Sequence, residues 1–358
     1  MNGKRIGIVG CGNISGIYLD NLTGMFGKQV KVTALTDLIP EKAQAASEKY
    51  NIPYIKNTDD LINNRDIDII LNITEPYNHY KVSLSAVKAG KHLYNEKPLC
   101  EKREEALEVL RIAAENKLRV GSAPDTFMGA GLQTCRKLID DGCIGHPVAA
   151  SAFMACHGHE HWHPSPEFYY KTGGGPMFDM GPYYLTALVS LLGPIMRVSG
   201  SAKKSFETRT ITSEPLNGKM IDVDIPTHIA GVMDFANGAV GTIITSFDVY
   251  SHTLPWIEIY GSEGTMRVPD PNCFGGPIFI SRFRENTWSQ IPVEKNYSEN
   301  SRGIGITDMA QAISENRPHR ASGELAYHIL DVMHGFHDAS ITGKYYNTTS
   351  TCQRPSPM

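Results

Sequence analysis

The chain has 358 residues, 41% of them hydrophobic, and a net charge of −4, which is typical of a globular protein in water. This length exceeds a single hydrophobic core and predicts two domains. The charge offers no basic surface for nucleic acid or an anionic membrane, and no apolar run reaches the roughly 18 residues that span a bilayer. No apolar leader precedes the first predicted strand, so we expect a cytoplasmic protein with a small-molecule partner.

The first third of the chain alternates short apolar runs with helical segments. Such alternation predicts a doubly wound parallel sheet, the α/β Rossmann architecture, over residues 1–123. The apolar run around Ile69 is nearly continuous, as in a strand buried on both faces. The predicted strands are Arg5–Val9, Val30–Thr36, Ile67–Ile73, His92–Asn95 and Arg119–Ala123, with helices at Pro40–Tyr50 and Arg103–Asn116.

The pattern changes after Ala123 to strands separated by glycine and proline. We predict a C-terminal α+β domain over residues 124–346 with a large, mostly antiparallel open sheet, in which Asn237-Gly238 forms a hairpin turn. A terminal helix, about 323–341, packs in this domain or back on the first one. The polar segment 347–358 is expected to be a flexible tail. The predicted strands are Pro147–Met154, Ile229–Phe235, Ala239–Phe247, Trp256–Tyr260 and Thr265–Val268.

A glycine-rich turn, Gly10-Cys11-Gly12-Asn13-Ile14-Ser15, joins the first strand to the first helix. In this context Gly10 permits a tight turn and Gly12 lets the backbone approach a pyrophosphate. The helix start, at Asn13 and Ile14, supplies N–H groups to the phosphates. Ser15 replaces the usual third glycine, and its side chain is small enough for close packing of helix and strand. The turn therefore predicts a dinucleotide site.

Asp37 ends the second strand, 25 residues beyond Gly12. A carboxylate there accepts hydrogen bonds from both hydroxyls of an adenosine ribose and repels a 2′-phosphate, which favours NAD over NADP. An alternative role for Asp37 is to cap the helix that starts near Pro40.

Three further segments carry motifs. Glu96-Lys97-Pro98 follows the fourth predicted strand, and Thr74-x-Pro76-x-x-His79 follows the third. Gly173-Gly174-Gly175 precedes Asp179-Met180-Gly181-Pro182-Tyr183 in the second half. Together these segments resemble the signatures of the Gfo/Idh/MocA oxidoreductases, and the resemblance extends over nearly the whole chain.

The resemblance implies that Lys97 lies near the reacting carbon and the nicotinamide, and that Asp179 lies close to the substrate. It also implies that Thr74, Pro76 and His79 line the nicotinamide side of the cleft, and that the β-rich domain forms a homo-oligomer. A base at the position of Lys97 also suits the reaction, because removal of hydride from a secondary alcohol requires a group that accepts the hydroxyl proton. Burial and a cationic nicotinamide would lower the pKa of Lys97 enough for this role. Glu96 is assigned an orienting or nucleotide-side function.

Many members of the family carry histidine four residues after the aspartate, where this chain has Tyr183. On one helix Asp179 and Tyr183 would share a face, so the phenol is interpreted as a hydrogen-bond donor, with a purely packing role as the alternative.

The segment Cys156–Pro164 contains four alternating histidines and gives three hypotheses for their function. Substrate-facing groups could replace the missing imidazole, with His163 and His159 the leading candidates and His157 and Trp162 as further contacts. A zinc or manganese site is the second hypothesis, although hydride transfer needs no metal and none is assigned. The third is a polar loop.

The aromatic residues around this segment favour a carbohydrate substrate. The predicted function is NAD-dependent hydride transfer at a secondary alcohol or ketone of a sugar, polyol or glycoside, with carbon 3 of a glycoside as the specific hypothesis. The alternatives are a glycosidase that uses NAD catalytically and an NAD-binding regulatory protein. Whether NAD is released in each cycle stays open.

Overall fold

The computed structural model describes residues 3–285, 287–293 and 296–358. Met1 and Asn2 of the predicted first domain, and positions 286, 294 and 295 of the second, lie outside the described residues. The chain forms two compact units. The first extends to Met128 and includes Glu299–Leu330, and the second comprises Gly129–Ser298 and Asp331–Met358.

The first unit is built on a parallel sheet of five strands in its described part, in the order β2-β1-β3-β4-β5. Ile69, Ile70 and Leu71 of β3 are fully buried, which confirms the prediction of a Rossmann sheet covered on both faces. Its elements are β1 (Lys4–Val9), α1 (Ser15–Thr23), β2 (Val30–Thr36), α2 (Pro40–Tyr50), α3 (Thr58–Ile62), β3 (Ile69–Asn72), α4 (Pro76–Lys88), β4 (His92–Asn95), α5 (Arg103–Glu115) and β5 (Val120–Ser122).

The second unit contains α6 (Ala130–Asp140), β6 (Pro147–Ala155), α7 (Pro176–Asp179), α8 (Gly181–Leu192), β7 (Ile195–Lys203), β8 (Thr208–Thr210), β9 (Met220–Asp222), β10 (His228–Phe235), β11 (Val240–Ser246), β12 (Ile257–Gly261), β13 (Gly264–Val268), β14 (Ile278–Arg282) and β15 (Ser289–Ile291). The helix α9 (Ile304–Glu315) belongs to the first unit. The helix α10 (Gly323–Thr342) has residues in both units, and β16 (Tyr346–Asn347) belongs to the second.

Within the described residues, a nine-stranded sheet runs β15-β14-β13-β12-β6-β11-β10-β7-β16. Its pairs are antiparallel except β6 with β11, which confirms the mostly antiparallel sheet predicted from the sequence. Asn237 and Gly238 join β10 to β11 as expected, because Gly238 adopts a φ of +91° and the Asn237 side chain accepts the N–H of Ala239. No helix in the described part of the chain is both long and apolar enough to cross a membrane.

Residues 299–330, which the sequence analysis placed in the second domain, belong to the first unit in the structure. Asp125 accepts hydrogen bonds from the N–H groups of Gly303 and Gly305, at 2.9 and 3.0 Å. His319 hydrogen-bonds the carbonyl of Val120 at 2.9 Å. These contacts join positions nearly 200 residues apart, so local sequence patterns could not reveal them.

The final segment, predicted to be a flexible tail, is held by hydrogen bonds in the structure. The N–H groups of Thr349 and Ser350 donate to the buried carboxylate of Asp331, at 2.8 and 3.1 Å, and Arg354 donates to the carbonyl of Ser190 at 2.9 Å. The expectation of a frayed tail is therefore wrong for these residues, because their partners lie on distant helices.

Candidate active site

The glycine turn has the backbone geometry that a dinucleotide needs. Gly10 adopts a φ of +104°, and a Cβ there would lie 2.7 Å from the carbonyl oxygen of Ile73. A Cβ on Gly12 would meet no atom within 4 Å, so the backbone borders open space. No side chain caps the start of α1, although the N–H of Ser15 donates to the carbonyl of Gly12 at 3.0 Å, and the positive end of the helix dipole favours a phosphate there. Ser15 is buried and its hydroxyl donates to the carbonyl of Gly12 at 2.7 Å, which explains why serine is accepted in place of glycine.

Asp37 connects the end of β2 to this turn. One carboxylate oxygen accepts the N–H of Cys11 at 2.6 Å, and the other accepts the N–H of Ile39 at 2.7 Å. The N-cap of α2 is Ile39, and no side chain caps that helix, so Asp37 is not its cap. Each carboxylate oxygen keeps a further lone pair for a ribose hydroxyl. The turn and Asp37 therefore fit NAD.

Lys97 follows β4 at the carboxyl edge of the parallel sheet, the same edge at which the glycine turn follows β1. The preceding Glu96 is buried, accepts a hydrogen bond from the Tyr18 hydroxyl at 2.8 Å, and accepts the backbone N–H of Lys97 at 2.9 Å. These contacts agree with an orienting role for Glu96. The Lys97–Pro98 peptide bond is cis, and the Lys97 side chain is partly exposed.

His79 connects the segment that follows β3 to the segment that follows β4. Its ring nitrogens lie 2.6 Å from the carbonyl oxygen of Pro98 and 2.9 Å from that of Thr74. The side chain is fully buried, and burial lowers its pKa while the two carbonyl oxygens act in the opposite direction. A fully buried ring cannot line the cleft as the sequence suggested, so we assign His79 to positioning the chain beside Lys97.

His159 contacts Asp179 in the second unit. Its Nε2 lies 3.1 Å from a carboxylate oxygen of Asp179, and its Nδ1 accepts the indole N–H of Trp162 at 3.2 Å. Since a carboxylate only accepts hydrogen bonds, Nε2 is the donor to Asp179. The rings of Tyr169 and Phe247 pack edge-on against it, at 4.3 and 4.7 Å between centroids. The pair is largely shielded from solvent, with the two side chains 12% and 15% exposed.

The other histidines of the segment have different surroundings. His163 accepts the N–H of Ser165 at 3.1 Å, lies against Phe168 and Tyr169, and has a pKa lowered by burial. His157 stacks on Tyr250 with ring centroids 3.6 Å apart. The structure therefore brings His159, rather than His163, to Asp179. Among the described residues, no group of three or more His, Cys, Asp or Glu is arranged to hold a metal ion.

Asp179 and Tyr183 do not lie on one helix, contrary to the sequence interpretation. Asp179 ends α7, and α8 begins at Gly181 with Pro182 in its first turn. Pro182 has no N–H to donate to the preceding turn, so it begins a new helix, and Met180 separates α7 from α8. Tyr183 is buried, with 8% of its surface exposed.

Arg209 is a residue of this region that the sequence did not reveal. It is buried, and its guanidinium donates to Glu160 at 2.7 Å, to Asp248 at 3.2 Å and to the carbonyls of His157 and Phe247. Glu160 also accepts a hydrogen bond from the Tyr170 hydroxyl. The strand β8 thereby fixes the histidine-rich segment from 49 residues away, and a lone arginine in a short strand gave no signal of this.

Comparison with known protein families gives one match in each half of the chain. The family described as "Oxidoreductase family, NAD-binding Rossmann fold" matches residues 4–123, and the "GFO/IDH/MocA C-terminal domain" matches residues 132–267. Together the two matches cover more than two thirds of the chain.

The chain is also similar in sequence to curated oxidoreductases and in fold to a solved structure. A dTDP-3,4-didehydro-2,6-dideoxy-alpha-D-glucose 3-reductase of Streptomyces violaceoruber is 26% identical, over 73% of this chain and 71% of its own. An inositol 2-dehydrogenase/D-chiro-inositol 3-dehydrogenase of Lactiplantibacillus plantarum is 32% identical, over 40% and 42%. The fold matches levoglucosan dehydrogenase in complex with NADH and L-sorbose, with a TM-score of 0.84, 16% identity and coverage of 97% and 99%. The chain belongs to the Gfo/Idh/MocA oxidoreductase family and is an NAD-dependent oxidoreductase.

Proposed function

We propose that the enzyme transfers hydride between NAD and a secondary alcohol or ketone of a sugar, polyol or glycoside, with carbon 3 of a glycoside as the specific site. The observation that carries the proposal is that Lys97 and the glycine turn lie at one edge of the parallel sheet. A proton-transfer group and a dinucleotide cradle at one edge are the components of an alcohol dehydrogenase. The similarity to a dTDP-sugar 3-reductase supports carbohydrate and position 3.

In the proposed reaction, the glycine turn and Asp37 would hold NAD, which would supply the hydride acceptor for the substrate carbon. Lys97 takes the proton of the hydroxyl on that carbon, because the alcohol must lose both to become a ketone. Glu96, anchored by Tyr18, fixes the backbone of Lys97. Asp179, oriented by His159, accepts a hydrogen bond from a second substrate hydroxyl, and Tyr183 and His163 complete the proposed set of site residues.

The test is a search for turnover combined with identification of the bound nucleotide. Small molecules released from the denatured purified protein are identified by mass spectrometry, and absorbance at 340 nm is followed with sugars, polyols and methyl and aryl glycosides. We expect NAD to be present and NADH to form with at least one glycoside. Bound NAD without turnover of any member of the panel, in either direction, would favour a regulatory protein.

A second candidate is a glycosidase that uses NAD catalytically, and one observation favours it. Oxidation at carbon 3 acidifies the proton on carbon 2, and a second base must remove that proton as the leaving group departs from carbon 1. The His159–Asp179 pair provides a proton-transfer group in addition to Lys97. Addition of water at carbon 1 with return of a proton to carbon 2, followed by return of the hydride to carbon 3 and of a proton to its oxygen, would cleave the glycoside without accumulation of NADH. Release of nitrophenol from a nitrophenyl glycoside at constant 340 nm absorbance would identify this activity.

We also propose that the chain forms a homo-oligomer through its β-rich unit. The proposal rests on the family resemblance, and exposed apolar residues of the nine-stranded sheet, such as Val240 with 47% of its surface exposed, are available to a second copy. Light scattering after gel filtration would give the mass expected of an oligomer, and a monomer at micromolar concentration would contradict the proposal.

A further inference from the structure

A large cavity in the second unit has no function in the proposed reaction. It encloses about 800 Å³, within the range of small-molecule sites, and is open to solvent. Its walls come from the segment after β6, from β8 and its flanking residues, and from the loop after β11. Among the residues that line it are His157, His161, Phe206, Thr208, Thr212 and Tyr250.

The histidine-rich segment separates this cavity from Asp179. His159 contacts Asp179, whereas His157 and His161, two residues away on either side, line the cavity. The segment makes a turn here, because the N–H groups of Trp162 and His163 donate to the carbonyl of His159, at 3.3 and 3.0 Å. Neither His159 nor Asp179 is among the lining residues, so the cavity is distinct from the surroundings of Asp179.

The floor of the cavity is formed by Arg209, whose charge is compensated. Arg209 lines the cavity, and its charge is neutralised by Glu160 and Asp248 in buried ion pairs. Since each guanidinium edge is already bonded to carboxylates or carbonyls, this arginine is not poised for an anionic ligand. The floor therefore favours a neutral ligand.

The walls combine aromatic faces with hydroxyl groups. Tyr250 is 84% exposed and Phe206 is 47% exposed, although both are large aromatic residues. Thr208 and Thr212 are exposed at the same cavity. In addition, Nδ1 of His157 is buried and has no hydrogen-bond partner among the described residues. Aromatic surfaces that pack on the apolar faces of a ring, next to hydroxyls that bond its edge, suit a neutral sugar.

We propose that this cavity is a second carbohydrate-binding site, which holds a neutral sugar ring against Tyr250 and Phe206. The ring comes either from the distal part of an extended glycoside or from a separate sugar molecule. The distal part of a glycoside as the source rests on the proposed function, whereas the binding of a sugar in the cavity does not depend on it.

The test measures binding directly, by isothermal titration of the NAD-loaded protein with cellobiose, maltose, lactose and methyl glucoside. Tyr250→Ala removes the exposed ring at the cavity, and Phe283→Ala removes a ring that is 74% exposed elsewhere on the same unit. Both side chains are largely in solvent, so neither change threatens the fold, and thermal unfolding verifies this. We expect at least one disaccharide to bind, with an affinity about 10-fold weaker in Tyr250→Ala and unchanged in Phe283→Ala.

Two further results separate the sources. Competition between the disaccharide and methyl glucoside identifies a distal ring of the substrate, whereas simultaneous binding at a stoichiometry of two identifies a separate molecule. The proposal is overturned if no disaccharide binds, or if Tyr250→Ala and Phe283→Ala have equal affinities for it. Because titration needs no turnover, a missing dehydrogenase activity would leave this result readable.

Discussion

The imidazole of His159 donates a hydrogen bond from Nε2 to the carboxylate of Asp179, with 3.1 Å between the two atoms. The contact joins residues 20 positions apart and gives Asp179 an imidazole partner. In many family members the histidine four residues after the aspartate is the imidazole of this region, and here that position is Tyr183. We propose that this histidine from the segment after β6 compensates for the departure.

This compensation predicts different effects for two neighbouring histidines. His159→Ala should lower kcat about 100-fold, because Asp179 loses the imidazole that orients its carboxylate. His163→Ala should cost less than about 10-fold, because the described hydrogen bond of its ring is to the backbone N–H of Ser165 and not to Asp179. Steady-state kinetics on the substrate found by the 340 nm screen would measure both. A larger loss in the His163 variant would show that His159 is not the compensating group.

Asp37 predicts the nucleotide preference. Asp37→Ala should weaken binding of NAD by about 10-fold and change binding of NADP much less, because only NAD offers a free 2′-hydroxyl to the carboxylate. Fluorescence titration with NADH and NADPH measures the ratio. Asp60→Ala, a change at an exposed position of helix α3 in the same unit, is the control. An unchanged ratio of affinities would mean that Asp37 only supports the N–H groups of Cys11 and Ile39.

Arg209 predicts a large effect on stability. Arg209→Met leaves the carboxylates of Glu160 and Asp248 buried without their cation and should lower the free energy of unfolding by about 3–5 kcal/mol. Arg111→Met removes an exposed pair with Glu115 and should cost less than about 1 kcal/mol. Denaturant unfolding compares the two variants. Adding Glu160→Gln to Arg209→Met should recover part of the loss, and a further loss instead would contradict the electrostatic explanation.

Asp125 predicts a pH-dependent stability. Burial raises its pKa to about 6, so the folded state favours the protonated carboxyl and bears the cost of a buried charge above that pH. The contribution of Asp125 to stability therefore improves as pH falls through 6 toward the unfolded value near 3.8. Asp125→Asn should be more stable than the unmodified protein at pH 8, by up to about 3 kcal/mol, and the difference should shrink toward pH 5. Urea unfolding at both values measures it, and a difference independent of pH would contradict the assignment.

The parts of the site that follow from the sequence are those fixed by local backbone geometry. Gly10 and Asp37 belong to a strand–turn–helix pattern that a sequence displays directly, and the position of Lys97 follows from the strand before it. The pairs Tyr18–Glu96 and Glu160–Arg209 join residues 78 and 49 positions apart, and no periodicity reports such contacts. The predicted shared face of Asp179 and Tyr183 was wrong, because helical spacing does not show where Gly181-Pro182 interrupts the helix.

The most direct test of the account is Lys97→Met, with Lys102→Met as a control because the Lys102 side chain is 67% exposed. Hydride transfer is followed at 340 nm in a single turnover, and NADH binding is followed by fluorescence. We predict that Lys97→Met binds NADH with unchanged affinity and loses at least about 100-fold in the rate of hydride transfer, while Lys102→Met retains both. A normal rate of hydride transfer in the Lys97 variant would contradict the proposed mechanism.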